Sequence, residues 1–362
     1  MKRIYLIFLA IVIVVISFGV FAIWTYKELH SPYAHNRSAE YVEIQRGSSP
    51  AEILSKLASQ GVIRRAWPLA LYLKLSGRGD RLKAGEYRFR TPISPLEVLR
   101  KLEEGEERLR RLTIIEGWTR WDIADAFLRV PELKIQTRVE ALALMDDVKL
   151  IRDIDPQAEN LEGYLYPDTY SFPLDTNASQ TISVLVKRFR QAWQPDWADR
   201  AKALNLTTRQ IVTIASLIET EAKLPQERPI VASVIYNRLK ANMPLGIDSS
   251  IIYASKLAGK WRNDGKVYKS DIERRSPYNT RLNSGLPPGP IASPSESSLK
   301  AALFPDSTNY LFYVREPSRN DGAHNFYSDE REFSRGVEAL RKWERERDAA
   351  AKSTSSPAPQ TN

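Results

Sequence analysis

A continuous apolar segment near the N-terminus limits how this chain can fold more than any other feature. The residues from Ile4 to Tyr26, IYLIFLAIVIVVISFGVFAIWTY, include no charged side chain. The segment is longer than the roughly 18–20 residues that a helix needs to cross a bilayer. A cleaved signal peptide is the alternative, but its apolar core is normally about 7–15 residues long and ends at a small-residue cleavage site. We therefore predict an uncleaved single-pass transmembrane anchor over residues 4–26.

The charges beside this segment predict its orientation. Lys2 and Arg3 precede it, and the positive-inside rule then leaves residues 1–3 in the cytoplasm and the rest of the chain outside it. We expect the protein in the inner (cytoplasmic) membrane with its main body on the periplasmic, extracytoplasmic side.

Composition excludes several classes of site. The chain has no cysteine, so thiolate zinc sites and thiol nucleophiles are absent. Only three histidines occur, His30, His35 and His324, and we predict neither a metal site nor a cofactor. The 53 Lys and Arg against 44 Asp and Glu give a net charge of +9, which favours a polyanionic neighbour. Because no aromatic-interleaved basic motif appears and the topology is outward, we do not expect nucleic acid to be that neighbour.

Short strand–helix units follow the anchor. The segment 41–44 alternates like a strand, and Ser49-Pro50-Ala51-Glu52 has the form of a capping box that opens a helix. The same order returns at 86–89 and at Ser94-Pro95-Leu96-Glu97, and a third copy begins near Leu112. These units predict a small α+β module.

We therefore divide the chain into an anchor and two α+β domains. A tether covers residues 27–40, and the small module covers 41–108. A larger α+β catalytic domain spans 109–340 and includes an expected buried strand at 310–314. Residues 341–362 form a polar tail, whose end, STSSPAPQTN, has the composition of a disordered segment.

The helix predicted over 209–224 carries the most informative carboxylate. Glu219 borders the apolar face of this helix and a narrow strip of small hydroxyls, a setting that suits a general acid. Glu221 projects almost opposite Glu219 at about 100° per residue, so the two cannot act as one acid/base pair. The alternative for Glu219 is a structural ion pair with Lys223 four residues later. Ser297-Ser298-Leu299-Lys300 matches the S-x-x-K pattern of acyl enzymes, but no Lys-Thr-Gly triplet accompanies it, and a helix start explains it better.

Several segments together resemble one enzyme family. They are ASLIETEA at 215–222, Glu227-Arg228, VASVIYNRL at 231–239, MPL at 243–245, SPYNT at 276–280, GLPPGPI at 285–291 and, upstream, GYLYPDTY at 163–170. In this order they resemble the MltG/YceG family of endolytic murein transglycosylases. The resemblance covers roughly residues 40 to 335.

The resemblance implies a function, a module and a set of residues. It implies that residues 41–108 form a LysM-like module, that Glu219 is catalytic, and that the substrate is peptidoglycan, with peptidoglycan synthases as further partners. By resemblance only, substrate-binding candidates are Tyr166, Asp168, Asn237, Asp248, Tyr253 and Asn279. Three positions depart from the family pattern, namely Gly246, Ser249 and Arg281, and bear on substrate subsites.

The expected reaction needs one carboxylate. A lytic transglycosylase lets the muramic acid C6 hydroxyl attack C1, which closes a 1,6-anhydro ring, whereas ordinary glycosidases use two carboxyl groups. The MurNAc–GlcNAc bond would be cut within nascent strands, which would end their elongation. Two alternatives stay open, a non-catalytic wall-binding scaffold and a muramidase that hydrolyses the same bond.

Overall fold

The computed structural model describes residues 2–45, 47–105, 109–319 and 321–354. The chain divides into two compact units, residues 1–110 and 111–362. Each unit has its own apolar core, one built from residues up to Leu102 and the other from Leu112 onward. The mixed helix and strand architecture predicted from the sequence is confirmed.

The first unit begins with the long helix α1 (Lys2–His30). Within the described residues, the stretch Ile7–His30 of this helix is the one segment that is long and apolar enough to cross a membrane, with a mean hydropathy of 2.9. Its length and composition are consistent with single-pass anchoring. The predicted tether is packed at its ends, because Leu29 is buried and Tyr33 pairs with Ile93 through backbone hydrogen bonds.

After α1 the first unit has the order strand, helix, helix, strand, helix. These elements are β1 (Val42–Ile44), α2 (Pro50–Ser59), α3 (Trp67–Ser76), β2 (Gly85–Tyr87) and α4 (Pro95–Glu104). Strands β1 and β2 are antiparallel, with Val42 opposite Tyr87. Both capping boxes predicted from the sequence are present, since the Ser49 and Ser94 side chains accept from the amides of Glu52 and Glu97. Helix α3 was not predicted, so the two strand–helix units are not consecutive repeats.

The second unit is mainly helical. Its elements are β3 (Leu109–Ile114, whose first two residues fall in the first unit), α5 (Arg120–Leu128), α6 (Arg138–Met145), β4 (Asp168–Pro173), α7 (Ala178–Ala192), α8 (Trp197–Ala203), α9 (Thr208–Glu221), α10 (Arg228–Lys240), α11 (Asp248–Leu257), α12 (Lys269–Ile272), α13 (Glu296–Leu303), β5 (Phe312–Arg315), β6 (His324–Tyr327) and α14 (Glu330–Thr354). Strand β3 pairs with β4, and β5 pairs antiparallel with β6.

Two expectations near the C-terminus differ from the structure. The strand predicted at 310–314 is β5, but it is half-buried rather than buried, because it lies in a two-stranded ribbon. Helix α14 continues to Thr354, through most of the stretch expected as a tail, and residues 355–362 lie outside the described residues.

Candidate active site

Helix α9 is the central element of the second unit. Its N-terminus is closed by Thr207, whose side chain accepts from the Gln210 amide while the Gln210 side chain accepts from the Thr207 amide. The eight residues 211–218 are all buried, so the helix is enclosed on every side and not only on the face that periodicity predicted. The helix ends at Glu221, three residues before the predicted Leu224. Glu219 and Glu221 therefore lie in the last turn of an enclosed helix.

The carboxylate of Glu219 is held by two residues. Its Oε1 accepts from Arg228 Nη2 at 2.8 Å. Its Oε2 accepts from the Ser295 backbone amide at 2.7 Å and from the Ser295 hydroxyl at 2.5 Å. The side chain of Glu219 is 4% exposed and that of Arg228 11%. The structural alternative of an ion pair with Lys223 is wrong, because the carboxylate binds Arg228.

Local structure places Arg228 and Ser295 beside Glu219. Arg228 is the first residue of α10, and Ser295 is the N-cap of α13, where its hydroxyl also accepts from the Ser298 amide. Arg228 Nη1 donates to the hydroxyl oxygens of Ser295, at 2.6 Å, and Ser297. The segment 297–300 is thus helical, as expected, and Ser297 contacts a guanidinium.

Loop 285–291, which carries the GLPPGPI segment, leads into Ser295 and packs on α9. The Ile291 amide donates to Ser216 Oγ at 3.1 Å, and Arg209 Nε donates to the Pro288 carbonyl at 2.7 Å. Gly163 has a φ of +81°, and a Cβ there would lie 2.5 Å from Pro290. A larger residue at 163 would therefore push this loop off α9.

The small hydroxyls of α9 do not form a free polar strip. Thr213 and Ser216 donate to carbonyls of their own helix, and Thr220 shares a hydrogen bond of 2.7 Å with Ser249 on α11. Such bonds satisfy hydroxyls that packing removes from water.

Glu221 has a separate set of partners. Its Oε2 accepts from the Tyr313 hydroxyl at 2.9 Å, and its Oε1 lies 3.5 Å from Ser249 Oγ. Burial raises the pKa of Glu221, and the Tyr313 hydrogen bond opposes that rise. No residue donates to both Glu219 and Glu221 in the part of the chain that is described, which agrees with the prediction that they do not form one pair.

A third glutamate, Glu162, was not predicted as a site residue. It is 3% exposed, and its two oxygens accept from the Arg120 backbone amide at 3.1 and 3.2 Å. Burial raises the pKa of Glu162 to about 7, against the lowering effects of the Arg120 amide and the Tyr253 hydroxyl. By pKa alone it is a rival general acid.

Two of the predicted substrate-binding residues line one cavity. Tyr166 and Asp168 are part of the wall of an open cavity of about 370 Å³ between the β3–β4 edge and α7. Asp168 Oδ2 accepts from Arg188 Nε at 2.9 Å, and the Arg188 guanidinium lies 4.9 Å from the centre of the Tyr166 ring.

The other four predicted residues make structural contacts. The Asn237 amide donates to the carbonyls of Thr308 and Tyr310, and the Asn279 amide donates to those of Ile272 and Arg274. The Tyr253 side chain is buried against Trp121 and Tyr278. In this structure these side chains bond or pack against other parts of the protein, and their role in binding substrate stays a prediction.

Asp248 lies close along the chain to Gly246 and Ser249, and in space to Arg281; these three are the departures from the family pattern. Asp248, the first residue of α11, accepts from Arg281 at 2.6 Å. Ser249 bonds Thr220, and Gly246 has a φ of +66° and donates to the Thr280 carbonyl. Ser249 and Arg281 therefore each have a partner within the fold, Ser249 through a hydrogen bond to Thr220 and Arg281 through an ion pair with Asp248.

Sequence reasoning missed Arg228 and Ser295, the two residues that hold Glu219. The Glu227-Arg228 pair formed part of the resemblance, but nothing in the pattern assigned it a contact. Ser295 lies at the helix start that was expected before 297–300, and a helix start does not predict a bond to a carboxylate 76 residues away. Across the ranges 2–45, 47–105, 109–319 and 321–354, no three His, Asp or Glu side chains are arranged to hold a metal ion.

Comparison with known proteins identifies the family. The sequence model of the YceG-like family matches residues 42–339. The endolytic murein transglycosylase of Bacillus subtilis is 34% identical over 289 residues, which cover 75% of this chain and 78% of that protein. The enzyme of the same name from Streptococcus pneumoniae serotype 2 is 28% identical, and the match covers 84% of this chain but 59% of that protein.

A solved structure supports the same relationship. The crystal structure of a YceG-like protein from Listeria monocytogenes matches with a TM-score of 0.55 and 31% identity, over 82% of this chain and 98% of that one. The family match extends across both units and includes Glu219, Arg228 and Ser295. The chain belongs to the YceG-like family.

Proposed function

We propose that this protein is an endolytic murein transglycosylase, which cuts the MurNAc–GlcNAc bond within peptidoglycan strands and leaves 1,6-anhydro-MurNAc ends. Membership of the YceG-like family and the shared name of its relatives from Bacillus subtilis and Streptococcus pneumoniae support this reaction. The observation that carries the proposal is the fixed carboxylate of Glu219, which one arginine and one serine orient at the end of an enclosed helix.

The two oxygens of Glu219 differ in how many hydrogen bonds they accept, and this difference supports one of them as the reacting oxygen. A carboxylate oxygen can accept about two hydrogen bonds. Oε2 accepts two from Ser295, whereas Oε1 accepts one from Arg228 among the partners that the described residues supply. Oε1 therefore retains a position for a proton, and we assign it as the oxygen that exchanges protons with substrate.

The reaction then proceeds in two proton transfers. Glu219 first donates a proton to the glycosidic oxygen, so that the GlcNAc side leaves as an alcohol and positive charge develops at muramic acid C1. The resulting carboxylate next removes the proton from the C6 hydroxyl as its oxygen bonds to C1. The ring closes without consuming water, and Glu219 regains its proton, so a second carboxylate is not needed.

Arg228 and Ser295 contribute by fixing charge and geometry. When Glu219 gives up its proton, the new negative charge lies against a guanidinium and two Ser295 donors that are already in place. Pre-positioned donors stabilise developing charge without reorganisation. Both residues also keep the carboxylate from rotating, since its two oxygens have different partners.

The anchor suggests where the reaction occurs. With Lys2 and Arg3 on the cytoplasmic side, the second unit would lie on the periplasmic side of the inner membrane. Because the anchor helix would hold the enzyme at the bilayer, nascent strands leaving the membrane would be its substrate and peptidoglycan synthases its neighbours. The LysM-like character of residues 41–108 remains part of this proposal.

Product analysis tests the proposed function. Purified full-length protein is incubated with uncross-linked glycan strands, and the new ends are identified by mass spectrometry. We expect 1,6-anhydro-MurNAc ends, with fragments longer than one disaccharide because cleavage is internal. Reducing MurNAc ends would instead identify a muramidase, and strand binding without any new ends would identify a wall-binding scaffold.

A further inference from the structure

The cavity beside strand β4 has a mixed lining that the transglycosylase reaction does not require. Its wall combines the Tyr166 ring, the exposed Ile115 side chain (47% exposed), and three charged side chains, Glu116, Asp168 and Arg188. The volume of about 370 Å³ is in the range of cavities that hold small ligands. Apolar surface and charges of both signs therefore meet in one open cavity.

Two of these charges have unused bonding capacity. Arg188 donates to Asp168 through its Nε alone, and its two terminal nitrogens have no hydrogen-bond partner among the described residues. Glu116 is exposed and likewise has no hydrogen bond or ion pair to any residue that the structure describes. A guanidinium with free terminal nitrogens binds a carboxylate, and a free carboxylate binds an ammonium group.

The cavity adjoins the segment that holds Glu219. The Gly117 amide donates to the Ser293 carbonyl at 2.9 Å, and the Ser293 amide donates to the Trp118 carbonyl at 2.8 Å. On the other wall, the Tyr166 hydroxyl faces the backbone amide of Glu296. Ser295, the partner of Glu219, lies between Ser293 and Glu296 in the chain, so these contacts join the cavity wall to the segment that holds Glu219.

We propose that this cavity binds the peptide stem of the muramic acid beside the cleavage point, with a stem carboxylate on Arg188 and the free amine of its diamino acid on Glu116. The assignment rests on the proposed function, which makes peptidoglycan the substrate. The sugars of a glycan strand offer hydroxyl and acetamido groups and no amine, whereas an uncross-linked stem carries carboxylates and a free amine. Only the stem matches both unused charges.

Activity on matched strands tests the proposal. Full-length protein in detergent is given uncross-linked strands with intact stems, the same strands stripped of stems by an amidase, and intact strands with acetylated amines. We expect wild type to have a higher kcat/KM on intact than on stripped strands. The ratio of the two should fall about threefold to fivefold in Glu116→Gln and in Arg188→Gln, the range of a partly exposed ion pair. When acetylated strands replace intact ones, the ratio of kcat/KM to that on stripped strands should be lower for wild type. For Glu116→Gln the ratio should not change on acetylation.

Matched controls separate charge effects at the cavity from changes elsewhere. Glu132→Gln and Arg129→Gln remove one charge of the same sign from exposed positions outside the cavity, and we expect both to keep the wild-type ratio. If both cavity variants keep that ratio too, the proposal is wrong. An equal fall on intact and stripped strands would also overturn it, because the cavity would then bind glycan.

Direct binding keeps this proposal separate from the proposed function. A fluorescently labelled free stem peptide is titrated into the full-length protein and the Kd is measured by anisotropy. We expect Glu116→Gln and Arg188→Gln each to raise the Kd about threefold or more. If wild type forms no anhydro ends, the proposed function fails, while stem binding is still measured here. Anhydro ends with unchanged Kd values in both variants would reject the stem site alone.

Discussion

At the end of α9, Glu219 lies against a guanidinium and a serine, whereas Glu162 lies against the backbone amide of Arg120 and the hydroxyl of Tyr253. Both carboxylates are almost completely buried. Burial raises the pKa of Glu162 to about 7, and its hydrogen bonds to the Arg120 amide and Tyr253, with the nearby charges of Arg120 and Lys256, oppose that rise only in part. The difference between the two sites lies in what each carboxylate can contact.

A pKa near neutrality does not by itself make Glu162 the catalytic acid. Both of its oxygens face the N-terminus of α5, through the amide of Arg120. The small cavity that it lines holds about 10 Å³, which is about the size of one water. Glu219 is instead held by the Arg228 guanidinium and by two Ser295 donors. The comparison teaches that burial and pKa alone do not assign the acid. Our proposal of Glu219 rests on the family resemblance and on the guanidinium and serine that fix its carboxylate.

The largest effect that this comparison predicts outside the glutamates themselves is at Arg228. In Arg228→Ala, Glu219 loses the donor on Oε1, and we expect kcat/KM for strand cleavage to fall about 100-fold. Arg120→Ala is the matched control, because the side chain of Arg120 hydrogen-bonds Asp146 and acts on Glu162 only through its charge. We expect the control to lose less than about fivefold. Equal losses of kcat/KM in Arg228→Ala and Arg120→Ala would contradict the assignment of different roles to the Glu219 and Glu162 sites.

A smaller effect concerns the pH dependence of stability at Glu162. Its pKa is raised from 4.5 to about 7 on folding, so the folded state binds the proton more tightly. The stability that this proton contributes is complete below about pH 4.5 and is lost as the pH rises through 7. We expect the free energy of unfolding of wild type, relative to Glu162→Gln, to fall by about 3 kcal/mol across that window.

Chemical unfolding at a series of pH values measures this difference, because the other titrating groups are common to both proteins. A parallel pH profile in wild type and Glu162→Gln would show that the carboxyl group titrates alike in the folded and unfolded states. That result would contradict the raised pKa of Glu162, and Glu162 would no longer be a rival acid to Glu219.

Features that depend on neighbouring residues could be predicted from the sequence. The capping boxes at Ser49 and Ser94 involve contacts three residues apart. The order of a strand before each of these two helices was also predicted. Helix α3 was missed because its sequence, WPLALYLKLS, is apolar on almost every side, so that no helical period distinguishes it from a buried strand.

Contacts between distant segments could not be predicted in this way. Arg228 and Ser295 reach Glu219 only because α10 and α13 pack beside α9. Asn237 and Asn279 were candidates for sugar contacts by resemblance only, and in the structure their amides donate to backbone carbonyls. The amino-acid sequence does not say whether a given amide faces a ligand or its own backbone.

The central proposal is that Glu219 is the catalytic acid, and a pair of glutamine variants tests this proposal most directly. Glu219→Gln and Glu162→Gln have nearly the same shape as wild type and remove one ionisable group each. The rate of 1,6-anhydro-MurNAc formation from uncross-linked strands is measured for both, alongside thermal unfolding to verify the fold. We expect Glu219→Gln to lose about 1,000-fold or more and Glu162→Gln to stay within about tenfold of wild type. A folded Glu219→Gln variant with wild-type activity, or the larger loss in Glu162→Gln, would contradict the account.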